Sequence, residues 1–433
     1  MLNEQKFIKS GRCARKAWLI ENTGCYEDAK PLPFPDIKNG KKNKVFRSNL
    51  GEATVGCVSY KPCGIELYDF FDTIKYKKYT LRMNYKRAIA ESCGYNVLGV
   101  YAVTVNPDYE INSNKPYYRI NRIEKPKSKA EFKRYIERIA AASRISRPAP
   151  AEMKNDCAGC EFFKGCFKLP KDNIFLLKGL DFSDKVKLYN NGIITFGDYM
   201  KSSPSPVCKM QINEETFIDK ASIRAFLKQL SYPLGFLDFE TISPLEPMFS
   251  GYHPGDRIIT QFAYHQKNSI KSPAVHKEFI GDGLTNPEPG ALMALLDATK
   301  QARNVLSYSV YEKNCVEMLA KRFPEYKSEL NELALKLVDL EIPFKNHMYY
   351  TPLMEGRTSL KFVLPALYPE DKELDYSAMK ISDGETAARE YMSLKDKDEK
   401  ERKKIINSLK KYCSLDSLAL VKITDKLYEV SKK

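Results

Sequence analysis

Residues 234–242 read LGFLDFETI, an apolar run carrying two acids, Asp238 and Glu240. A β-strand turns alternate side chains to opposite faces, so acids two residues apart project side by side. Two carboxylates sharing one face of an otherwise buried strand repel each other and are poorly hydrated, and a divalent cation relieves both problems. Oxygen-only ligands favour Mg²⁺ or Mn²⁺ over zinc. The plainer reading of the stretch is a strand end whose acids meet basic neighbours.

Outward from this strand, the helix ASIRAFLKQL (221–230) precedes it. Strands IITQFAYHQ (258–266) and NVLSYSV (304–310) follow, with helices GALMALLDATKQA (290–302) and YEKNCVEMLAKRF (311–323). A final helix covers KKIINSLKKYCSLDSLALVKITDKLYEV (403–430). Strands interspersed with helices predict an α/β domain over 221–433, a mixed sheet flanked by helices. In the last helix Tyr412 and Asp416 stand four apart and share a face. Such a pair is common on helices, and the strand acids give it meaning through the pattern D-x-E…Y-x3-D. Glu312 falls at the start of the helix after NVLSYSV, where the dipole alone also favours an acid.

These residues resemble the DEDD exonucleases, DnaQ-like enzymes with an RNase H-like fold, in the subclass with a tyrosine in the last motif. The family's middle motif ends in an aspartate at a helix start. Glu312 stands in that place here, a longer acid with a different reach to a metal. The chain is also similar to an uncharacterised bacterial family that joins an iron-sulfur domain to such an exonuclease-like domain. That likeness is carried by YPLGFLDFET, IITQFAYHQ, VLSYSVYEK, VDLEIPF, GRTSLKFVLPALYP and YCSLDSLALV, in this order. The resemblance implies 3′ to 5′ hydrolysis of phosphodiester bonds in DNA or RNA with two metal ions roughly 4 Å apart. Asp238 would bridge both ions, Glu240 and Asp416 would hold the first, Glu312 would support the second, and Tyr412 would orient the water. Asp339 is a weaker candidate for a supporting or substrate role. Lys361 reads either as a phosphate contact or as a solvated lysine.

Residues 1–170 also read as α/β. They open with the helical pattern FIKSGRCARKAWLIEN, carry the strand LGVYAVTVN (98–106) and the helix KAEFKRYIERIAAAS (129–143), and end in DCAGCEFFKGCF (156–167). Cys157, Cys160 and Cys166 form C-x2-C-x5-C, with Cys13 as the candidate fourth thiolate. A four-thiolate site holds Zn²⁺ or an iron-sulfur cluster, and spacing separates the two poorly. A lone early cysteine with a late triplet resembles the [4Fe-4S] clasp of RecB-type nucleases, including those of CRISPR adaptation. The resemblance implies a cluster that ties the two ends of the domain together, with Zn²⁺ as the alternative. Those nucleases also carry an aspartate followed by E-x-K on adjacent strands. Here the E-x-K strings at Glu4, Glu131 and Glu152 fall at the terminus, on a helix and in the loop before the cysteines. The domain therefore reads as a reduced RecB-nuclease-like relative that binds rather than cuts. The remaining cysteines, Cys25, Cys57, Cys63, Cys93, Cys208, Cys315 and Cys413, read as small core residues.

Binding has its own candidate segment, IKYKKYTLRMNYKR (74–87). It interleaves Tyr76, Tyr79 and Tyr85 with Lys75, Lys77, Lys78, Arg82, Lys86 and Arg87, a mix suited to phosphate contact and base stacking. An ordinary exposed amphipathic segment would look the same. Residues 171–220 read as a helical connector with a turn-rich break at SSPSP (202–206).

A length of 433 residues exceeds one hydrophobic core, which fits two domains and a connector. Seventy Lys and Arg against 55 Asp and Glu leave a formal charge of +15, so nucleic acid, as a single strand led into the C-terminal site, is the first partner to expect. A basic host proteome is the bland alternative. No apolar run reaches the length of a membrane span, and MLNEQKFIKSGRCARK lacks a signal-peptide core, so a soluble cytoplasmic protein with reduced thiols is expected. Only four histidines occur, without metal-ligand spacing. There is no phosphate-binding G-x4-G-K-S/T loop, which excludes an ATP-driven helicase within this sequence. The rival to the exonuclease is a non-catalytic nucleic-acid-binding or assembly protein in which both nuclease folds have decayed, and Glu312 is the feature that favours it.

Overall fold

The helical pattern at the start of the chain breaks at Gly11, whose φ of 54° is one that L side chains avoid. Two helices result, α1 (Glu4–Ser10) and α2 (Ala14–Asn22). The structure, a computed structural model, describes residues 3–11, 13–22, 40–178, 180–371, 374 and 380–432, apart from the side chains of Glu4, Tyr76 and Lys78. Cys25 lies outside the described residues.

Strands β1 (Gly40–Ser48), β2 (Gly51–Lys61) and β3 (Gly64–Phe71) form an antiparallel meander. Helix α3 (Thr80–Ser92) then crosses over and returns the chain to β4 (Val97–Val105), parallel to β3. The edge strand β5 (Tyr118–Arg122) completes the order β1-β2-β3-β4-β5. Helix α4 (Lys129–Ala142) starts at Ser128, whose Oγ accepts from the Glu131 N–H at 3.2 Å. Phe7, Val55, Leu67, Met83, Tyr85, Val100 and Ile136 fill the core between sheet and helices. The short α5 (Phe163–Cys166) lies in the cysteine segment, and α6 (Phe182–Asn190) ends at Asn191 and Gly192, the latter with φ 81°. Residues 1–171, 182–194 and 244–256 together make the first compact unit.

The second unit holds residues 172–181, 195–243 and 257–433, so the 171–220 segment is divided between the two. It begins with α7 (Phe196–Met200), held by a capping box between Thr195 and Asp198, and α8 (Pro206–Ile212). The small strand β6 (Phe217–Ile218) leads into α9 (Lys220–Leu227). Then come β7 (Leu234–Ile242), β8 (Ile258–Lys267), β9 (Val275–Ile280), α10 (Glu288–Thr299), β10 (Asn304–Ser307) and α11 (Tyr311–Arg322). The chain continues through α12 (Lys327–Lys336), β11 (Leu337–Asp339), α13 (Ile342–Lys345), and β12 (Tyr349–Tyr350), which pairs with β6. Helices α14 (Leu360–Leu367), α15 (Gly384–Ser393) and α16 (Glu399–Lys432) close the unit.

The main sheet runs β11-β10-β7-β8-β9. β7, β8 and β9 are antiparallel neighbours, while β10 and β11 run parallel to β7. Leu237 and Phe239 of β7 point into the core that Leu292, Leu295, Val316 and Leu319 of α10 and α11 fill. Strand alternation sends Asp238 and Glu240 to the opposite face, the one α16 crosses. There the Gln261 amide donates to the Leu409 carbonyl at 3.2 Å, and His265 bonds Ser417 at 2.9 Å. Gly235 is required in β7, since a Cβ there would meet the Tyr264 ring at 2.5 Å. The protein is thus mixed α/β in both units, and among the described residues no helix is long and apolar enough to cross a membrane.

Candidate metal centre and cysteine site

Asp238 and Glu240 reach the site from the middle strand and Asp416 from α16, and each offers an oxygen within 4.8 Å of the others. Asp416 is buried, while the two strand acids are partly exposed. Tyr412, one helical turn before Asp416, is buried and donates its phenol to that carboxylate. Between them the Cys413 thiol lies 3.3 Å from Asp238 Oδ2. Cys413 is fully buried, as the core reading expects, and also borders the site. Its spacing of three from Asp416 on one helix face is the signal that marks it.

Glu312 enters from the first turn of α11, 3% exposed, and its Oε2 has no hydrogen-bond partner among the described residues. The turn that carries it is fixed from two sides. Asp339 Oδ1 accepts from the Ser309 N–H at 2.9 Å and the Glu341 N–H at 2.8 Å, holding the β10–α11 connection where Ser309 has φ 80°. Tyr311 bonds Thr241 at the end of β7 at 2.6 Å, with the Arg257 guanidinium 4.7 Å above its ring. Asp339 thus acts through the backbone that positions Glu312.

The electrostatics follow from this crowding. Burial, then Asp416, Glu240 and Glu312, push the Asp238 carboxyl well above its usual range, against the Cys413 hydrogen bond. Burial and then Asp416 raise Glu240 to about 8, with Lys361 opposing. Glu312 is likewise raised to about 8, first by burial and then by Asp339 and Asp416, against its own backbone hydrogen bond. Burial and the same carboxylates keep the Tyr412 phenol protonated far above neutral pH. Lys361 is close enough for its charge to act on Glu240, and its ammonium donates to the Ser382 carbonyl at 2.7 Å. Asp383 caps α15 by accepting from the Thr386 N–H at 2.8 Å, and a Cβ on Gly384 would stand 3.7 Å from Glu240 Oε2. The start of α15 therefore borders the site, and no sequence motif had flagged Asp383 or Gly384.

In the first unit Cys13 precedes α2, while Cys157 and Cys160 precede α5 and Cys166 ends it. All four thiols are partly exposed, and burial raises that of Cys157 with Cys13, Cys160 and Cys166 adding to the rise, so the four are electrostatic neighbours. A Lys16–Glu161 ion pair at 2.9 Å joins α2 to the cysteine loop. No three of the four sulfurs lie mutually within 4.8 Å. Of the cysteines read as core, Cys57, Cys208 and Cys315 are buried, Cys93 is half-buried, and Cys63 is exposed beside the β2–β3 turn.

The basic segment does not form one continuous ribbon. Lys75 and Lys77 are exposed and Arg82 is half-buried near the Phe71 ring, whereas the Lys78 side chain lies outside the described residues. Lys86 and Arg87, expected to contact nucleic acid, are buried because α3 lays this face on the sheet, and Lys86 forms an ion pair with Asp69. Tyr79 stacks on Phe71 at 3.8 Å and Tyr85 on Phe7 at 4.6 Å, so both rings are spent on the core.

Residues 235–359 match a domain of unknown function, DUF2779, a stretch that contains Asp238, Glu240, Glu312 and Asp339 and stops short of Tyr412 and Asp416. Comparison with curated proteins and with solved structures finds no match.

Proposed function

We propose that the second unit is a metal-dependent exonuclease that removes nucleotides from the 3′ end of single-stranded DNA or RNA. The observation that carries this reading is the convergence of Asp238, Glu240 and Asp416 within 4.8 Å of one another, with Glu312 from a third element acting on them electrostatically and its Oε2 buried and unpartnered. A buried carboxylate oxygen without a partner is costly, and a hard divalent cation is the group that satisfies it. The sheet order, with an antiparallel meander and two strands parallel to its first member, supports an RNase H-like domain. The 3′ polarity rests on the resemblance to the DEDD enzymes.

When bound, Mg²⁺ or Mn²⁺ supplies Lewis-acid stabilisation and an activated water. Asp238, Glu240 and Asp416 would hold one side of the pair and Glu312 the other. Tyr412 stays neutral throughout the working pH range, so it can hold a proton donor or a water in place without ionising. Lys361 offers a cation beside Glu240 for a substrate phosphate.

In the first unit the neighbouring thiols of Cys13, Cys157, Cys160 and Cys166 fit a [4Fe-4S] cluster in a reduced RecB-like domain. Reduced thiols and a nucleic-acid partner fit a cytoplasmic protein. The exposed Lys75 and Lys77 remain as phosphate contacts for an incoming strand.

The test uses 3′-labelled single-stranded DNA and RNA with Mn²⁺ or Mg²⁺, comparing the wild type with Asp238→Asn. Shortening from the 3′ end by the wild type alone is expected; equal or absent cleavage in both sinks the proposal and favours the decayed binding protein. Anaerobic purification should give a brown protein that loses its colour in Cys160→Ser, and a colourless, zinc-loaded wild type would refute the cluster.

A further inference from the structure

Burial of Arg87 removes it from the surface but does not leave it inert. The side chain is 3% exposed and its Nη2 donates to the Ile123 carbonyl at 3.3 Å, yet Nε and Nη1 have no partner among the described residues. One helical turn earlier, Asn84 is 4% exposed; its Nδ2 donates to the Glu124 carbonyl at 3.0 Å while Oδ1 is unpartnered. Both side chains line a cavity of about 300 Å³ between α3 and α4. Lys129, Lys133, Glu91 and Phe132 also line it, and Lys129 reaches Glu91 at 3.0 Å. Three cations therefore face one carboxylate, and the first turn of the 14-residue α4 adds the positive end of its dipole.

A guanidinium stripped of water with two nitrogens unsatisfied is a strained arrangement for a purely structural residue. Nε and Nη1 donate from different edges of the guanidinium plane, so an anion in the cavity would accept from one of them while Nη2 stays on the Ile123 carbonyl. Asn84 adds a second requirement. Its amide already donates to a carbonyl, so the free Oδ1 asks for a donor on the ligand. We propose that this cavity is a binding site for a phosphate monoester or hydrogen phosphate, an anion that carries acceptor oxygens for Arg87 and a P–O–H or sugar hydroxyl for Asn84. It is separate from the acidic centre, which repels anions when free of metal, and from the cysteine site.

Binding is measured on the full chain in EDTA by calorimetry and thermal shift, with inorganic phosphate, a nucleoside 5′-monophosphate and sulfate at matched ionic strength. Phosphate or the monophosphate should saturate and raise Tm. Sulfate carries no proton at neutral pH and should bind roughly tenfold more weakly, the loss of about one hydrogen bond. Arg87→Met should lose the response to all three anions while staying at least as stable as the wild type without ligand, because it removes an unsatisfied buried charge. Lys133→Ala, on the exposed rim, should fold normally and weaken phosphate severalfold. An unsaturable response, an equal response in Arg87→Met, or equal affinity for sulfate and phosphate would overturn the proposal.

Discussion

Asp416 is the charge that the other acids share: of the neighbouring carboxylates it acts most strongly on Asp238 and on Glu240, and it also acts on Glu312. Replacing it with Asn keeps the shape and the acceptor for Tyr412 but removes that charge. The sign depends on pH. Glu240 and Glu312 ionise near 4.5 in an unfolded chain and near 8 in the folded one. Between those values the unfolded chain binds fewer protons, so metal-free stability falls as pH rises from about 4.5 to about 8. Above that window the acids are charged together, and a pair of charges at the 4.8 Å limit of this cluster repels by about 3.5 kcal/mol at an effective dielectric constant near 20. In EDTA at pH 9, Asp416→Asn should therefore be more stable than the wild type by about 3 kcal/mol, or roughly 6–12 °C for a unit of this size. At pH 5 the two should coincide. With Mn²⁺ at a hundredfold excess over Kd the wild type gains about 2.7 kcal/mol and the variant little, so the order narrows or inverts. Thermal melts at the two pH values, with EDTA or Mn²⁺, check this. A variant less stable than the wild type in EDTA at pH 9, or a difference independent of pH, would refute the reasoning.

Tyr412→Phe should keep the metal-dependent rise in Tm and lower turnover roughly a hundredfold, since it removes an orienting group and no ligand; steady-state rates beside melts separate the two. Glu312→Gln should lower both metal affinity and turnover, with Glu312→Asp partly restoring the rate if the shorter acid still reaches the ion; calorimetric Mn²⁺ titration checks it. Elsewhere in the unit, the fully buried Glu288 accepts from the Ile259 N–H at 2.9 Å and pairs with Arg322 at 2.6 Å. Glu288→Leu removes the ion-pair partner of the partly exposed guanidinium and the acceptor of the Ile259 N–H, and should lower urea-unfolding stability by about 3 kcal/mol.

The strand acids were legible because period-two alternation needs no tertiary knowledge, and Tyr412 with Asp416 because a spacing of four fixes a helix face. The same rules placed β8, α10, α11 and α16 within a few residues. They were blind where order comes from contact between distant segments. The β1–β3 meander was missed because β1, with its four residues Gly40, Lys41, Lys42 and Lys44 near the exposed edge, shows no apolar alternation of its own. Asp383 and Gly384 could not be linked to Glu240 from a sequence separation of more than a hundred residues. Arg87 looked like a surface cation because a charged residue is normally solvated; only the packing of α3 on its sheet turns it inward. The membership of residues 244–256 in the first unit has no sequence signature at all, since the stretch is simply the link between β7 and β8.

Glu312, where the DEDD enzymes that this sequence resembles carry an aspartate, is the point on which an active centre and a decayed one diverge. Decay has a physical direction: once metal is no longer bound, crowded buried carboxylates only destabilise the fold, and neutral replacements relieve them. This centre holds four acids, three of them with proton affinities raised by burial and by one another, and Glu312 keeps a free oxygen while two independent supports hold it, Asp339 on the turn and Tyr311 on the strand. An extra methylene at 312 lengthens the reach without taking the acid out of the shared field, since Asp416 acts on Glu312 as it does on the strand acids. Under the proposed function, a bound divalent cation is what relieves that strain.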